Sequence, residues 1–198
     1  MHPHPADLVV LLDAERRPAG TAPRESVHGT STPLHLAYSC WVIGPDGRFL
    51  LTRRALSKRS WPGVWTNSFC GHPRPGEELA AAVVRGSRTE LGVTVTEVKP
   101  LLPDFAYCAV DAAGIVENEV CPVFLARLDA DEAAELAPHP DEVAEHVWVS
   151  LADLRSALDV APWSLSPWFR KQAALLDDAT WAALESDRGN AASEGAAA

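Results

Sequence analysis

The chain has 198 residues, 47% of them apolar, with 17 basic against 27 acidic side chains and a formal charge of -10. That is enough apolar material for a globular unit with its own core. The acidic balance argues against a nucleic-acid or membrane surface, since such partners are held by basic patches, so an anionic small molecule would have to meet a local cluster of cations. No apolar run reaches the ~18 residues of a spanning helix, and MHPHPADLVVLLD lacks the basic start and cleavage pattern of a signal peptide, so a cytoplasmic location is expected. Cysteines at 40, 70, 108 and 121 form no Cys-x-x-Cys pair and are expected to be reduced thiols.

In chain order, LVVLLD (8–13) predicts a strand, and SCWVI (39–43) with RFLLTRR (48–54) predict a hairpin closed by GPDG. Strands over 66–71, 95–110 and 115–128 extend a mixed sheet. The segment EELAAAVVRGSRTELG (77–92) predicts a helix: Leu79, Val83, Ser87 and Leu91 share a stripe, acids open it and Gly92 stops it. Further helices are expected over 151–158 and 166–186. No repeat or linker divides the chain, so the expectation is an α/β fold, a mixed β-sheet flanked by helices in an α/β/α sandwich, as a single domain over 1–186. The low-complexity tail 187–198 and the first residues, with His2 and His4, are expected to be disordered.

The chemistry concentrates in two stretches, TNSFCGHP (66–73) and GIVENEVCP (114–122). Side chains at i and i+2 of a strand share a face, which pairs Cys70 with His72 and Glu117 with Glu119. Two neighbouring carboxylates among Ile, Val and Cys are costly to remove from water unless protons, cations or a metal neutralise them. A divalent metal satisfies that need, imidazole with carboxylate suits several ions, and His28 and His35 offer further ligands. The plainer alternative is a solvated strand edge beside which Cys70 and His72 simply pack. His28 and His35 are seven residues apart with Gly29 and Pro33 between them, so spacing alone does not make them ligands.

The segment that follows resembles the Nudix box, in which glycine, glutamate, arginine and a cluster of acids recur at fixed spacing. Gly71, Glu77, Arg85, Glu90, Gly92 and Val93 fit, whereas Gly86 and Thr89 stand where two glutamates are expected. A Nudix hydrolase uses three acids on one helix face to hold the magnesium ions that activate water against a diphosphate. Only Glu90 is kept here.

With HLAYSCW, LLTRRALSKRSWPGVWTNSFCGHP, GIVENEVCPVF and APWSLSPW added, the chain resembles the type 1 isopentenyl-diphosphate Δ-isomerases over about residues 8 to 170. The resemblance implies a Nudix-like sandwich that interconverts isopentenyl and dimethylallyl diphosphate. It implies Cys70 and Glu119 as catalytic groups, with Tyr107 relaying a proton and Trp163 stabilising a cation. It further implies His28, His35, His72, Glu117 and Glu119 as ligands of one divalent metal, manganese, zinc or magnesium. Glu90 would help place a second ion, magnesium, that arrives on the diphosphate, and Arg24, Arg54 and Lys58 would contact the diphosphate itself. Arg85 or Arg88 would substitute for a basic residue that relatives carry where Gly86 stands. A monomer acting on a small molecule is expected.

The chemistry asks for the same equipment. Shifting an unactivated double bond through a tertiary carbocation needs an acid on one side and a base on the other. The Cys70 thiol, with an ordinary pKa near ~8.5 that falls near cations, is expected to titrate in the working range. Two rival readings stay open: a diphosphate hydrolase, against which the missing acids count, and a non-catalytic metal or diphosphate binding module, which would not need Cys70, Glu119 and Tyr107 together.

Overall fold

A computed structural model describes residues 8–186. The tail expected to be disordered, and His2 and His4, lie outside those residues. In chain order the elements are β1 (Leu8–Leu12), β2 (Pro18–Pro23), α1 (Arg24–Val27), β3 (His35–Leu36), β4 (Tyr38–Ile43), β5 (Phe49–Arg54), β6 (Trp65–Thr66), β7 (Phe69–Gly71), α2 (Leu79–Glu90), β8 (Thr96–Leu102) and β9 (Ala106–Val110). There follow β10 (Val116–Val120), β11 (Val123–Arg127), α3 (Ala130–Ala134), β12 (Val143–Val149), α4 (Leu151–Val160), α5 (Pro167–Ala173) and α6 (Asp178–Ser186). No helix among the described residues is long and apolar enough to cross a membrane.

Two mixed sheets form. One runs β2-β1-β3-β10-β9; the other runs β12-β5-β4-β11-β8, with β6 on β5 and β7 on β4. The parallel pairs are β3 with β10 and β4 with β11. The strands expected over 95–110 and 115–128 are therefore each two strands in different sheets. The breaks coincide with Pro103 and Pro122, whose missing N–H interrupts a ladder. Cys121 N–H donates to the Phe105 carbonyl at 2.9 Å, so the two runs cross between the sheets side by side, and Ser39 N–H of β4 donates to the Pro122 carbonyl at 3.0 Å. The crossover leaves the acids of β10 in one sheet and the cysteine of β7 in the other.

The strand β4 shows why the second sheet is central. All six residues are buried, and they alternate: Trp41 and Ile43 join the core against α4, α5 and α6, while Tyr38, Cys40 and Val42 join the core under α2. Neighbouring β5 repeats the division, with Phe49 and Leu51 on the first side and Leu50 on the second. Period-2 alternation with both faces apolar marks a strand covered on both sides, and each such side chain contributes about 1.5–3 kcal/mol by leaving water. Trp41 anchors the first core against Phe49, Phe169 and Trp181, and its Nε1–H donates to Gln172 Oε1 at 2.8 Å, which satisfies the one polar atom of the ring.

The helix expected over 77–92 forms as Leu79–Glu90, with Val83, Ser87 and Leu91 buried as the stripe requires. Gly92 takes φ 74°, a left-handed helix stop, and a Cβ there would meet the Ala137 carbonyl oxygen at 2.7 Å. The helix expected over 166–186 is instead α5 and α6. Asp177 restarts the chain by accepting from Thr180 N–H at 2.8 Å, and the fold-back brings Trp181 and Leu184 into the core.

Candidate active site

Each element delivers one or two functional side chains. β10 carries Glu117 and Glu119, both nearly inaccessible at 6% and 5% exposed. In the ladder Glu119 stands opposite Tyr107 of β9 on one side and His35 of β3 on the other, so three elements turn polar groups to one place. His28 follows α1, and His72 follows β7 directly after Gly71.

These groups form a cage. Glu119 Oε1 lies 3.4 Å from His35 Nε2, 3.4 Å from His72 Nε2 and 3.8 Å from His28 Nε2. Donor atoms from His28, His35, His72 and Glu119 all lie within 4.8 Å of one another. The Nε2 atoms of His35 and His72 are buried without a hydrogen-bond partner, which is costly for polar atoms unless something else occupies the centre. The His35 Nδ1, by contrast, meets the Pro33 carbonyl at 2.9 Å, which makes Nδ1 a donor and aims Nε2 into the cage. A four-coordinate ion with arms of ~2.0–2.1 Å sets its ligands ~3.3 Å apart, so the observed spacing fits a divalent metal. Glu117 adjoins the cage without joining the four: its Oε2 is 2.8 Å from His28 Nε2, and its Oε1 accepts from Ser60 Oγ at 2.5 Å.

The electrostatics follow from this packing. Burial disfavours charge on His28, but Glu117 and Glu119 outweigh it and raise the imidazole to about 9. Burial also penalises the Glu119 carboxylate, yet His28, His35 and His72 together hold it well below the usual range. His72 is lowered, by burial first.

Cys70 faces a 150 Å³ cavity shared with Glu119, Tyr107, Trp168, Arg54 and Lys58. Its Sγ sits 3.2 Å from Ser39 Oγ and accepts from Asn67 Nδ2 at 3.3 Å. Behind that pair, Gln172 Nε2 donates to Ser39 Oγ at 2.9 Å and Trp168 Nε1–H to Asn67 Oδ1 at 3.0 Å, so α5 fixes the cradle of the thiol. The expected lowering of the thiol does not occur. Burial pushes Cys70 up to about 12, outweighing Ser39 and Asn67, and Glu119 adds to the rise. Burial thus favours the neutral thiol, while the three imidazoles favour the ionised form of Glu119. Tyr107 is likewise raised well above its ordinary value, by burial and then by Glu119.

Arg54 forks onto the Ser60 carbonyl through Nε and Nη2, at 3.1 and 2.9 Å, with its guanidinium carbon 5.3 Å from the Trp168 ring centre. Lys58 pairs with Glu142. Arg24 lines both this cavity and a neighbouring one of 310 Å³, which also contains His72, Glu90 and Tyr38. Glu90 is raised to about 7, by burial and Glu142 against the pull of Lys58, Arg24 and Arg54.

Other expected residues lie elsewhere. Trp163 is 78% exposed in the short turn Pro162–Ser164 and is not part of the cavity wall; the indole in the wall is that of Trp168, 3% exposed. The resemblance pointed to the first tryptophan of PWSLSPW, but Ser166 caps α5 and aims the second inward. Arg85 is not free to replace a diphosphate contact: it makes a two-pronged pair with Glu77, at 2.7 and 2.8 Å, and donates to the His72 carbonyl at 3.0 Å. Arg88 donates to Thr94 Oγ1 at the surface. Sequence reasoning missed Ser60, Asn67, Ser39 and Gln172. Asn67, Ser39 and Ser60 lay within motifs that carry the resemblance, but no role was read for them there, and Gln172 lay outside every such motif. A larger open cleft of 560 Å³ between α4, α5 and α6 brings no histidine or cysteine to its lining.

Residues 33–171 match the NUDIX domain family. An isopentenyl-diphosphate Delta-isomerase of Agromyces mediolanus is 56% identical over 171 residues, covering 86% of this chain and 81% of that one. One of Frankia alni is 57% identical over 162 residues, covering 82% and 81%. Among solved structures, a MutT protein from Methanosarcina mazei superposes with a TM-score of 0.54 at 21% identity, over 80% of this chain and 97% of that one, a likeness of fold.

Proposed function

Because the chain belongs to the Nudix domain family and, within it, to the isopentenyl-diphosphate Delta-isomerases, we propose that Cys70 and Glu119 exchange the protons of that isomerisation across the cavity they share. The activity is isomerisation of isopentenyl diphosphate to dimethylallyl diphosphate. The observation that carries the site assignment is that Cys70 and Glu119, from different sheets, face one 150 Å³ space. With an alkene between them, one group gives a proton to one carbon and the other takes a proton from another, and the roles exchange in the reverse direction. Each turnover leaves the pair one proton displaced. Tyr107, opposite Glu119 in the ladder, stands where it can pass that proton back.

His28, His35, His72 and Glu119 would hold a divalent cation, manganese, zinc or magnesium, with Glu117 completing the set; when bound it supplies positive charge that keeps Glu119 ionised. Arg24, Arg54 and Lys58 supply charge for the diphosphate, and Glu90 is the carboxylate available to a magnesium ion carried on it. Tyr107 and Trp168 wall the space and keep water from the cation. Trp163, as placed here, does not touch it.

The hydrolase reading is disfavoured sterically as well as by sequence. At Gly86, where a box glutamate would stand, a Cβ would fall 2.0 Å from the Tyr38 hydroxyl. Incubation with isopentenyl diphosphate and magnesium, read separately for dimethylallyl diphosphate and for released phosphate, tests the assignment. Isomer without phosphate is expected; phosphate release, or neither product, would overturn it.

A further inference from the structure

We propose that Ser60 is a positioning residue that sets which oxygen Glu117 presents to the metal cage, a role that rests on the metal reading above. Ser60 lies in the loop between β5 and β6 and is 5% exposed. Its hydroxyl has one proton, and the structure commits that proton to Glu117 Oε1 at 2.5 Å, across 57 positions of sequence and from one sheet to the other. The remaining lone pairs face Arg54 Nη2 at 3.2 Å, so both sides of the rotor are fixed. With Oε1 held, Oε2 is the oxygen left 2.8 Å from His28 Nε2 at the edge of the cage.

Glu117 depends on this tie more than Glu119 does. Glu119 Oε1 is surrounded by three imidazoles, whereas Glu117 stands outside the four donors that already lie within 4.8 Å of one another. Its contribution as a ligand is then decided by a small rotation of the carboxylate, and Ser60 is the side chain that sets the rotation. Outer groups of this kind commonly change metal affinity by 10- to 100-fold. The same serine carries the two Arg54 bonds on its backbone carbonyl, which a side-chain substitution leaves in place. Loss of the hydroxyl therefore largely separates the two jobs: the two carbonyl bonds to Arg54 stay, the 3.2 Å bond from Nη2 is lost, and the aim of Glu117 goes.

The test is a titration of metal-stripped protein with Mn²⁺ alone, following free ion by electron paramagnetic resonance, beside thermal melts of the same samples. Ser60→Ala is expected to weaken Mn²⁺ binding 10- to 100-fold with KM for substrate within threefold of the parent, and Ser60→Thr, which keeps the hydroxyl, to restore the affinity. An Ala variant that binds Mn²⁺ like the parent overturns the proposal, even if it melts earlier, because a merely structural hydroxyl would change the melt alone. Should Ser60→Ala not fold, Ser60→Cys, a weaker donor of similar size, is read in the same titration, with wild-type affinity counting against the role. A parent that isomerises substrate yet binds no Mn²⁺ removes Ser60's role and leaves the activity standing; a parent that binds Mn²⁺ without isomerising removes the activity and leaves the titration to judge Ser60.

Discussion

Cys70 is the residue at which local packing and chemistry are most tightly joined. Ser39, Asn67, Gln172 and Trp168 fill the space behind the thiol with hydrogen bonds, and only the long Cys70 Sγ–H to Asn67 Oδ1 contact, at 3.5 Å, uses the thiol as the sole donor. Cys70→Ala should therefore leave the cradle and the histidine cage intact while removing one of the two proton-transfer groups. Turnover should fall by at least ~100-fold. The measurement is the isomerisation rate beside bound metal and melting temperature; a variant with more than a tenth of the parent rate would show that the thiol is not a reagent. Reaction in deuterium oxide adds a check on the route. Protonation by a solvent-exchanging group must place deuterium on product carbon, and the Ala variant should lose that label together with net turnover. Wild-type product without carbon-bound deuterium would exclude protonation and deprotonation as the path.

Among the elements, α2 brings Glu90 to the site and also holds the site through a strut. Arg85 ties Glu77 and the His72 carbonyl together, which fixes the 72–78 loop and with it the imidazole of His72. The Arg85 hydrogen bond is the largest influence on Glu77 and holds its carboxyl below the ordinary 4.5. The stabilisation is thus fully present above ~4.5, the unfolded value, and is lost as pH falls through the lower folded value. With both side chains less than a third exposed, a charged hydrogen-bonded pair contributes ~1.5–3 kcal/mol, or roughly 3–12 °C in a chain of this size. Melts of Glu77→Gln against the parent should show that gap at pH 7 and see it close below the ordinary carboxylate range. A gap that is absent at neutral pH, or unchanged in acid, would count against the strut. The helix itself was legible, because its stripe of Leu79, Val83, Ser87 and Leu91 has a period that only a helix gives. The i, i+2 pairing of Glu117 with Glu119 was legible from the two-residue period of a strand. The division of 95–110 and 115–128 between two sheets was not, since an apolar run bears no mark of the sheet it pairs with. Nor was the strand over 143–149 anticipated: VAEHVWV is mostly exposed at an edge and carries little apolar alternation. His28 and His35 lie on separate segments that only the tertiary fold brings within 5.0 Å, ring to ring, so no spacing rule could join them without the resemblance.

For the molecule as a whole, the cage is where the two sheets meet. Its four donors arrive from the segment after α1, from β3 and β10 of one sheet, and from the end of β7 in the other. A cation bound there cross-links chain segments that are far apart in sequence, and it relieves the buried Nε2 atoms of His35 and His72 and the buried carboxylates of Glu117 and Glu119. Because the unfolded chain has no such site, binding adds directly to folding free energy, by about 2.7 kcal/mol when the free ion is a hundredfold above its dissociation constant. For a chain of this length that corresponds to roughly 5–11 °C in melting temperature, rising further with each tenfold increase in free ion. Melts of chelator-treated protein titrated with Mn²⁺ or Zn²⁺ should show that rise, and His72→Ala should lose most of it, since one of the four donors is gone. The same chelated samples should be inactive until the ion is restored. Identical melts with and without the ion, in protein shown by elemental analysis to be stripped, would mean that the three histidines and Glu119 hold no metal, and the buried charge at the centre of the fold would then need protons to balance it.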